Sequence, residues 1–402
     1  MSVEPGTSGR SSTPRSALAG ATVMQVLPSL EDDSVGRTAF NGALALLRVG
    51  ARAIVASNGG SLVGELQASG GEWMQLSPPR RPTGSRLTRH LREMIASERI
   101  DLVHAHGFDV AADVIGATEG TSTRLLTTYI HAPVHRHFFP SLRRKPKAYG
   151  DAIVVGSAFA ADFVAKQYAI EPARIVILPR TVDTTWFDAH AVSADRVAAV
   201  REAWQVGRRR TVFAPGRIAE GKGQMALIEA ARALVNGGLR DVVFVIAGSR
   251  HSDENRIRTI DDAIVAHGLR SVVRRVGPCA DMPAAYAAAA FVCIPGHRPT
   301  LFSQIAAEAQ ATGRPVIASD VGALREAVLT ARRVGADGRT GWLAPPDDPL
   351  DLARALADAL ATGPEAWHAL CARARQFAEW KHAPARVAEL TLETYAAMLG
   401  PD

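Results

Sequence analysis

The stretch TVFAPGRIAEGKG at residues 211–223 decides how the rest of the chain is read. It begins as a short apolar run, turns at Pro215-Gly216, and ends in basic residues separated by glycines where a helical pattern opens. A buried strand that passes through a tight turn into a helix is the repeating unit of a doubly wound sheet. Downstream the same pattern returns as DVVFVIAG at 241–248, SVVRRVG at 271–277, AFVCIPG at 290–296 and PVIASD at 315–320. Upstream it appears as ATVMQVL at 21–27, RAIVAS at 52–57, IDLVHAH at 100–106, RLLTTYI at 124–130, DAIVVGS at 151–157 and RIVILP at 174–179. Runs of this length, rich in Val, Ile and Leu and alternating with amphipathic stretches, predict an α/β chain with parallel strands covered on both faces. The two series predict two Rossmann-like doubly wound domains, at 21–185 and 210–380. A polar helical stretch at 186–209 reads as the linker. The amphipathic segment 381–402 reads as a terminal helix able to cross back to the N-terminal domain. A ligand is expected in the crevice between the halves, at the carboxyl ends of strands.

A length of 402 residues with 47% hydrophobic and 21% charged content fits a globular two-domain protein and excludes a disordered one. The net charge of +6 favours an anionic partner, through the positive field it creates. Cys279, Cys293 and Cys371 form no C-x-x-C pair and no disulfide framework, so they read as buried apolar residues in a reducing compartment. Residues 1–20 are rich in Ser, Gly, Pro and Thr without an apolar core, which predicts a disordered tail and not a signal peptide. No apolar run is long enough to span a bilayer, so a cytoplasmic protein is expected, at most peripheral on the inner membrane face.

The chemistry concentrates in the second series. Gly216 allows the turn, Arg217 offers a planar bidentate cation and Lys222 a compact one. The helix opening beside Lys222 adds free N–H groups and the positive end of its dipole. Together these suit a diphosphate. In TLFSQIAAEAQATGRPVIASD at 300–320, Glu308 sits on a helix otherwise made of small and apolar residues. An ionised carboxylate there can accept hydrogen bonds from two adjacent hydroxyls, as a ribose presents.

Taken in order, several motifs resemble a known family. They are Gly216-Arg217 with Lys222-Gly223, Ala247-Gly248, Val276-Gly277, Glu308-Ala309 with Gly313, Pro315 and Val316, and the closing Gly338, Gly341, Trp342, Leu343 and Pro345. The set is similar to the retaining GT-B glycosyltransferases of the bacterial group 1, or family 4, class, over essentially all of residues 21–400. The wording is nearest to proteobacterial enzymes of cell-surface polysaccharide and lipopolysaccharide synthesis. The resemblance implies that Gly216, Arg217, Lys222 and Gly248 bind the nucleotide-sugar diphosphate and Glu308 its ribose. It also implies retention of configuration by front-face displacement, with no cofactor beyond the nucleotide sugar and no metal. His106, second of the His104-x-His106 pair at a strand end, is implied to lie near the transferred sugar.

Two positions depart from the family pattern. Thr300 stands where the first acid of a Glu-x7-Glu motif belongs, and a hydroxyl carries no charge to steady a developing cation. Asp33 and Ser34 stand where a Gly-Gly pair normally lets the backbone approach the sugar donor, and Gly36 is expected to restore part of that flexibility. Both departures put turnover in question more than nucleotide binding.

The stretch HRHFFPSLRRKPKAY at 135–149 interleaves cations with aromatics, and Arg80, Arg81, Arg86, Arg89 and Arg92 add a second basic region. These predict an anionic membrane surface or a lipid-linked acceptor, and no nucleic-acid module accompanies them. The expected activity is transfer of a hexose-type sugar from a nucleoside-diphosphate donor to a lipid- or glycan-linked hydroxyl. The rivals are a homologue that binds nucleotide sugar or a partner enzyme without turnover and, further off, an epimerase.

Overall fold

The computed structural model describes residues 17–76, 85–129, 150–249 and 251–400. The chain divides into two compact units, one comprising residues up to Val155 with Val164–Leu178 and the stretch from Ala385, the other Gly156–Phe163 and Pro179–Pro384.

The first unit holds a seven-stranded sheet in the order β3-β2-β1-β4-β5-β6-β7. Its strands are β1 (Thr22–Val26), β2 (Arg52–Ser57), β3 (Glu72–Gln75), β4 (Leu102–His106), β5 (Arg124–Thr128), β6 (Ala152–Val155) and β7 (Ile175–Ile177). Every pairing is parallel. β1 and β4 are buried at every residue, because successive side chains feed opposite cores. Val23, Val55 and Leu102 join one core, and Met24, Ile54 and Val103 the other.

The second unit repeats the plan with a six-stranded parallel sheet ordered β10-β9-β8-β11-β12-β13. These are β8 (Arg210–Pro215), β9 (Val242–Ala247), β10 (Val273–Val276), β11 (Phe291–Ile294), β12 (Val316–Ser319) and β13 (Gly341–Ala344). Val212 and Phe244 fill one face, and Phe213, Val243 and Val245 the other. In each sheet the strand order reverses at one place, between β1 and β4 and between β8 and β11. Doubly wound sheets bind ligands at such switch points, where consecutive loops diverge and leave a crevice.

The expected linker is part of a domain. The segment 186–209 lies inside the second unit: its helix Ala194–Ala203 packs against helix Met282–Ala288. Arg196 donates to both carboxylate oxygens of Asp281 at 2.7 Å, and Trp204 stacks on Phe213 with ring centroids 4.8 Å apart. One buried indole and one bidentate ion pair thus anchor a stretch whose polarity suggested a linker. The terminal helix Pro384–Leu399 packs in the first unit through Val387, Thr391 and Tyr395, spaced four apart on one face.

Among the described residues no helix is long and apolar enough to cross a membrane. Most of the expected tail, and all of 135–149 together with Arg80 and Arg81, lie outside the described residues. Of the second basic region, Arg92 donates to the carbonyls of Gly116 and Glu119, which makes it a tie between helices.

Candidate nucleotide-sugar site

The switch point of the second sheet gathers the residues that carry the charge. Beyond β8 the chain turns at Gly216, whose φ is +129°, and Arg217 stands exposed. The loop is pinned at Ile218: its N–H donates to Ser252 Oγ at 3.0 Å, and its carbonyl accepts from Asp253 N at 2.8 Å. Ser252 Oγ also accepts from Ser249 N at 2.9 Å. At the end of β9, Gly248 N donates to Val276 O at 3.1 Å. The loops after β8, β9 and β10 are therefore tied together.

Lys222 and Gly223 open helix Gln224–Asn236. Its N-terminal residue carries no side-chain cap, and its first turn contains no acid. The free N–H groups and dipole end thus remain open to an anion. Gly223 is dictated by geometry: its φ is +74°, and a Cβ would lie 1.8 Å from the carbonyl oxygen of Pro295. That approach locks the loop after β11 against the loop after β8, with His297 N donating to Gly221 O at 3.1 Å.

The nearest acid in sequence, Glu220, is held by Arg298 at 2.7 Å and Arg256 at 3.9 Å. Among the described residues neither Arg217 nor Lys222 pairs with a carboxylate. Partial burial, and then the positive charge of Arg217, push the Lys222 ammonium below its ordinary pKa, although its side chain still reaches solvent. Two neighbouring cations that repel each other beside an uncapped helix start suit an anion.

Glu308, on helix Gln304–Ala311, is partly buried. Its Oε2 accepts from Tyr286 Oη at 3.0 Å and its Oε1 from Gln304 Nε2 at 2.9 Å. Burial raises its pKa, and the two donors oppose that rise. Each oxygen keeps a free lone-pair direction, so the carboxylate is oriented without being used up. Gln304 stands at the i−4 spacing that the sequence displays. Tyr286 comes from another helix, and no sequence signal points to it.

Thr300 sits in the loop before that helix. Its carbonyl accepts from Ala323 N at 2.9 Å, and the next carbonyl, of Leu301, accepts from Ser157 Oγ at 2.8 Å. Its own Oγ1 is buried and, among the described residues, has no partner.

In the first unit, His106 ends β4 at the switch point. It is buried to 3% exposure, and its Nε2 lies 2.9 Å from Gln25 Oε1. Burial lowers its pKa to about 4, so the ring is neutral near neutral pH. His104 is equally buried, between Tyr395 Oη at 2.7 Å and Thr128 Oγ1 at 2.6 Å.

The expected flexible loop at Ser34 and Gly36 is instead the first turn of helix Ser34–Arg48. Asp33 caps it, accepting from Val35 N at 2.9 Å and Gly36 N at 2.8 Å, so the positive end is already occupied by an acid. Gly36 is needed for close packing and not for flexibility: a Cβ there would lie 1.9 Å from the carbonyl oxygen of Glu31.

Comparison with known proteins matches both halves in order. Residues 35–186 match Glycosyltransferase Family 4, and residues 209–362 match Glycosyl transferases group 1. A curated D-inositol 3-phosphate glycosyltransferase of Saccharomonospora viridis is 33% identical over 263 residues, which are 63% of this chain and 58% of that protein. A second, from Kineococcus radiotolerans, is 32% identical over 240 residues, 57% of this chain and 53% of that protein. The chain thus spans little more than half the length of these relatives. Neither is named for cell-surface polysaccharide or lipopolysaccharide, so the finer resemblance to such proteobacterial enzymes is not carried by them.

In fold, a Rickettsia africae glycosyltransferase superposes with a TM-score of 0.78 at 20% identity, covering 95% of this chain and all 100% of that one. Anabaena HepE, solved in complex with UDP-glucose, superposes with a TM-score of 0.71 at 18% identity, covering 94% and 99%. The two parallel sheets, the ordered motifs and both family matches lead to one assignment: the chain belongs to the group 1, family 4 glycosyltransferases of GT-B fold.

Proposed function

We propose that the protein transfers a sugar, with retention of configuration, from a nucleoside-diphosphate donor to a hydroxyl acceptor. The observation that carries the reading is the pairing of Arg217 and Lys222, free of carboxylate partners, beside the uncapped start of helix Gln224–Asn236. Cleavage of the sugar–phosphate bond develops charge on the departing diphosphate. Preorganised cations and helix N–H groups lower the barrier by meeting that charge without rearranging. In this reading Gly216 and Gly248 let the backbone approach the nucleotide, and Glu308 accepts from the ribose hydroxyls. Retention rests on the family resemblance, as does the absence of any cofactor other than the nucleotide sugar.

For the acceptor we propose a lipid- or glycan-linked hydroxyl of the cell envelope, used by a cytoplasmic enzyme at the inner membrane face. D-inositol 3-phosphate, which gives the curated relatives their name, is the competing acceptor. A second reading, a binder of nucleotide sugar without turnover, is favoured by one observation. Thr300 presents a neutral, unpartnered hydroxyl where an acid is expected.

The test incubates the full chain with UDP-, GDP- and ADP-sugars, each with lipid extract or D-inositol 3-phosphate, and follows release of nucleoside diphosphate. Acceptor-dependent release supports transfer, and binding without release from any pair supports the second reading. Lys222→Ala is expected to weaken nucleotide-sugar use by at least about tenfold, since a hydrogen bond to a charged group is worth about 1.5–3 kcal/mol. Unchanged kinetics would remove the diphosphate assignment.

A further inference from the structure

A chain of buried hydrogen bonds at the switch point of the first sheet fixes more than the position of His106. Gln25, on β1, is 1% exposed. Its Nε2 donates to the carbonyl of Ala39 at 2.7 Å. A backbone carbonyl only accepts, so the amide nitrogen must face Ala39 and the amide oxygen must face His106. That oxygen lies 2.9 Å from His106 Nε2, and an amide oxygen only accepts. Nε2 of His106 therefore carries the proton, and in the neutral ring Nδ1 is left with its lone pair.

The surroundings keep the ring neutral. The His104 ring lies tilted against it, at a centroid distance of 4.0 Å and 33° between planes. His104 is itself held by Tyr395 and Thr128 hydroxyls, which exchange hydrogen bonds without bringing charge. Among the described residues no carboxylate acts on either imidazole. Among the described residues His106 Nδ1 has no partner. The buried side-chain atoms that lack one are Thr181 Oγ1, Thr300 Oγ1 and Gln310 Oε1, so Nδ1 is not sealed among them. It sits on the last residue of a strand next to the strand-order reversal, where a ligand approaches a doubly wound sheet.

We propose that Gln25 is a positioning residue that locks His106 as the Nε2–H tautomer, so that Nδ1 is offered as a neutral acceptor to a hydroxyl of the sugar in transit. The proposal rests on the transfer reading only for the identity of that hydroxyl; the tautomer stands on the geometry of the first unit.

The test uses full-length protein labelled with 15N-histidine, with the His106 resonances assigned by their loss in His106→Asn. Long-range 1H–15N spectra between about pH 5.5 and 8 are expected to show a protonated Nε2 and an unprotonated Nδ1, with no titration. In Gln25→Leu the two tautomers are expected to average. A protonated Nδ1 in the native protein, titration within that range, or a native pattern surviving in Gln25→Leu would each overturn the proposal. A kinetic readout separates positioning from mere packing. Gln25→Glu places a carboxylate beside the ring and raises the His106 pKa. Its turnover is then expected to fall by about tenfold on acidification through the neutral range, an acid limb that the native enzyme lacks. A flat profile in Gln25→Glu with a titrating His106 would refute the acceptor role. Absence of transfer by the native protein, with the expected spectra, would refute the transfer reading and leave the tautomer assignment standing.

Discussion

Replacing Glu308 by Gln separates what this carboxylate does for the fold from what it does for a ligand. In the folded protein its two oxygens each accept one internal hydrogen bond, from Tyr286 at 3.0 Å and Gln304 at 2.9 Å. Burial nevertheless dominates and holds its pKa above the ordinary glutamate value. For an acid shifted upward, the stabilising form is the neutral one. Its contribution is complete below the unfolded pKa and is lost as pH rises through the folded pKa. At neutral pH the ionised Glu308 is therefore a net cost to the second unit. Glutamine keeps the length, keeps one oxygen for Tyr286, and meets Gln304 by a turn of that amide.

The melting temperature of Glu308→Gln is thus expected to be unchanged or higher. The ligand side moves the other way, because a ribose loses a charged acceptor. At about 1.5–3 kcal/mol for a hydrogen bond to a charged group, nucleotide affinity should drop about 10- to 150-fold. Titration calorimetry with UDP, GDP and ADP, run beside thermal unfolding, measures both. Native affinity should also decline as pH falls through the raised pKa of Glu308, a decline the variant lacks. Equal affinities would end the ribose assignment, and a large fall in melting temperature would make Glu308 a structural acid.

Two further outcomes follow from geometry and burial. Gly223→Ala forces a left-handed backbone on a residue with a Cβ, which costs about 1–2 kcal/mol, and drives that Cβ to 1.8 Å from Pro295 O. Denaturant unfolding should show a loss of at least about 2 kcal/mol, with weaker nucleotide binding as Lys222 shifts; a stability equal to the native one would contradict the loop contact. His382 Nδ1 donates to the carbonyl oxygen of Arg180 at 3.0 Å, and burial pushes its pKa down to about 4. A depressed histidine contributes stability that is present above its unfolded pKa and is lost as pH falls toward the folded one. Acidification from about pH 6.5 to 4 should therefore remove on the order of 3 kcal/mol on its account. His382→Asn, which keeps an N–H for Arg180 O and takes no proton, should show a shallower acid slope, and an unchanged slope would assign the effect elsewhere.

The sheets were legible wherever strands are buried on both faces, since β9 then becomes an unbroken apolar run, and β1 and β4 are mostly apolar runs interrupted by Gln25 and by His104 and His106. β3 and β13 were not read as strands. They are edge strands of four residues, and β3, with sequence EWMQ, is exposed at both ends. The segment 186–209 misled because two side chains, Trp204 and Arg196, bind a polar helix to its neighbours. At the site, Arg217, Lys222 and Glu308 were visible as charges placed after strand ends. Tyr286, separated from Glu308 by 22 residues, needed the packed helices to bring it close. Gln25 did leave a trace, as the one strongly polar residue in ATVMQVL, and its meaning depends on a histidine 81 positions away.

Thr300 bears on turnover. Its loop is fixed through Ala323 N on Thr300 O and Ser157 Oγ on Leu301 O, so the exchange of an acid for a hydroxyl has not loosened the backbone. A buried hydroxyl left without a partner costs about 1–3 kcal/mol, a cost that valine, nearly the same shape, would not incur. A neutral, enclosed hydroxyl there cannot offset positive charge developing on a sugar, as a carboxylate does. For transfer, the electrostatic work then falls on the leaving group, and so on Arg217, Lys222 and the open helix start. Catalysis by this chain should depend on Lys222 more steeply than in a relative that keeps the acid.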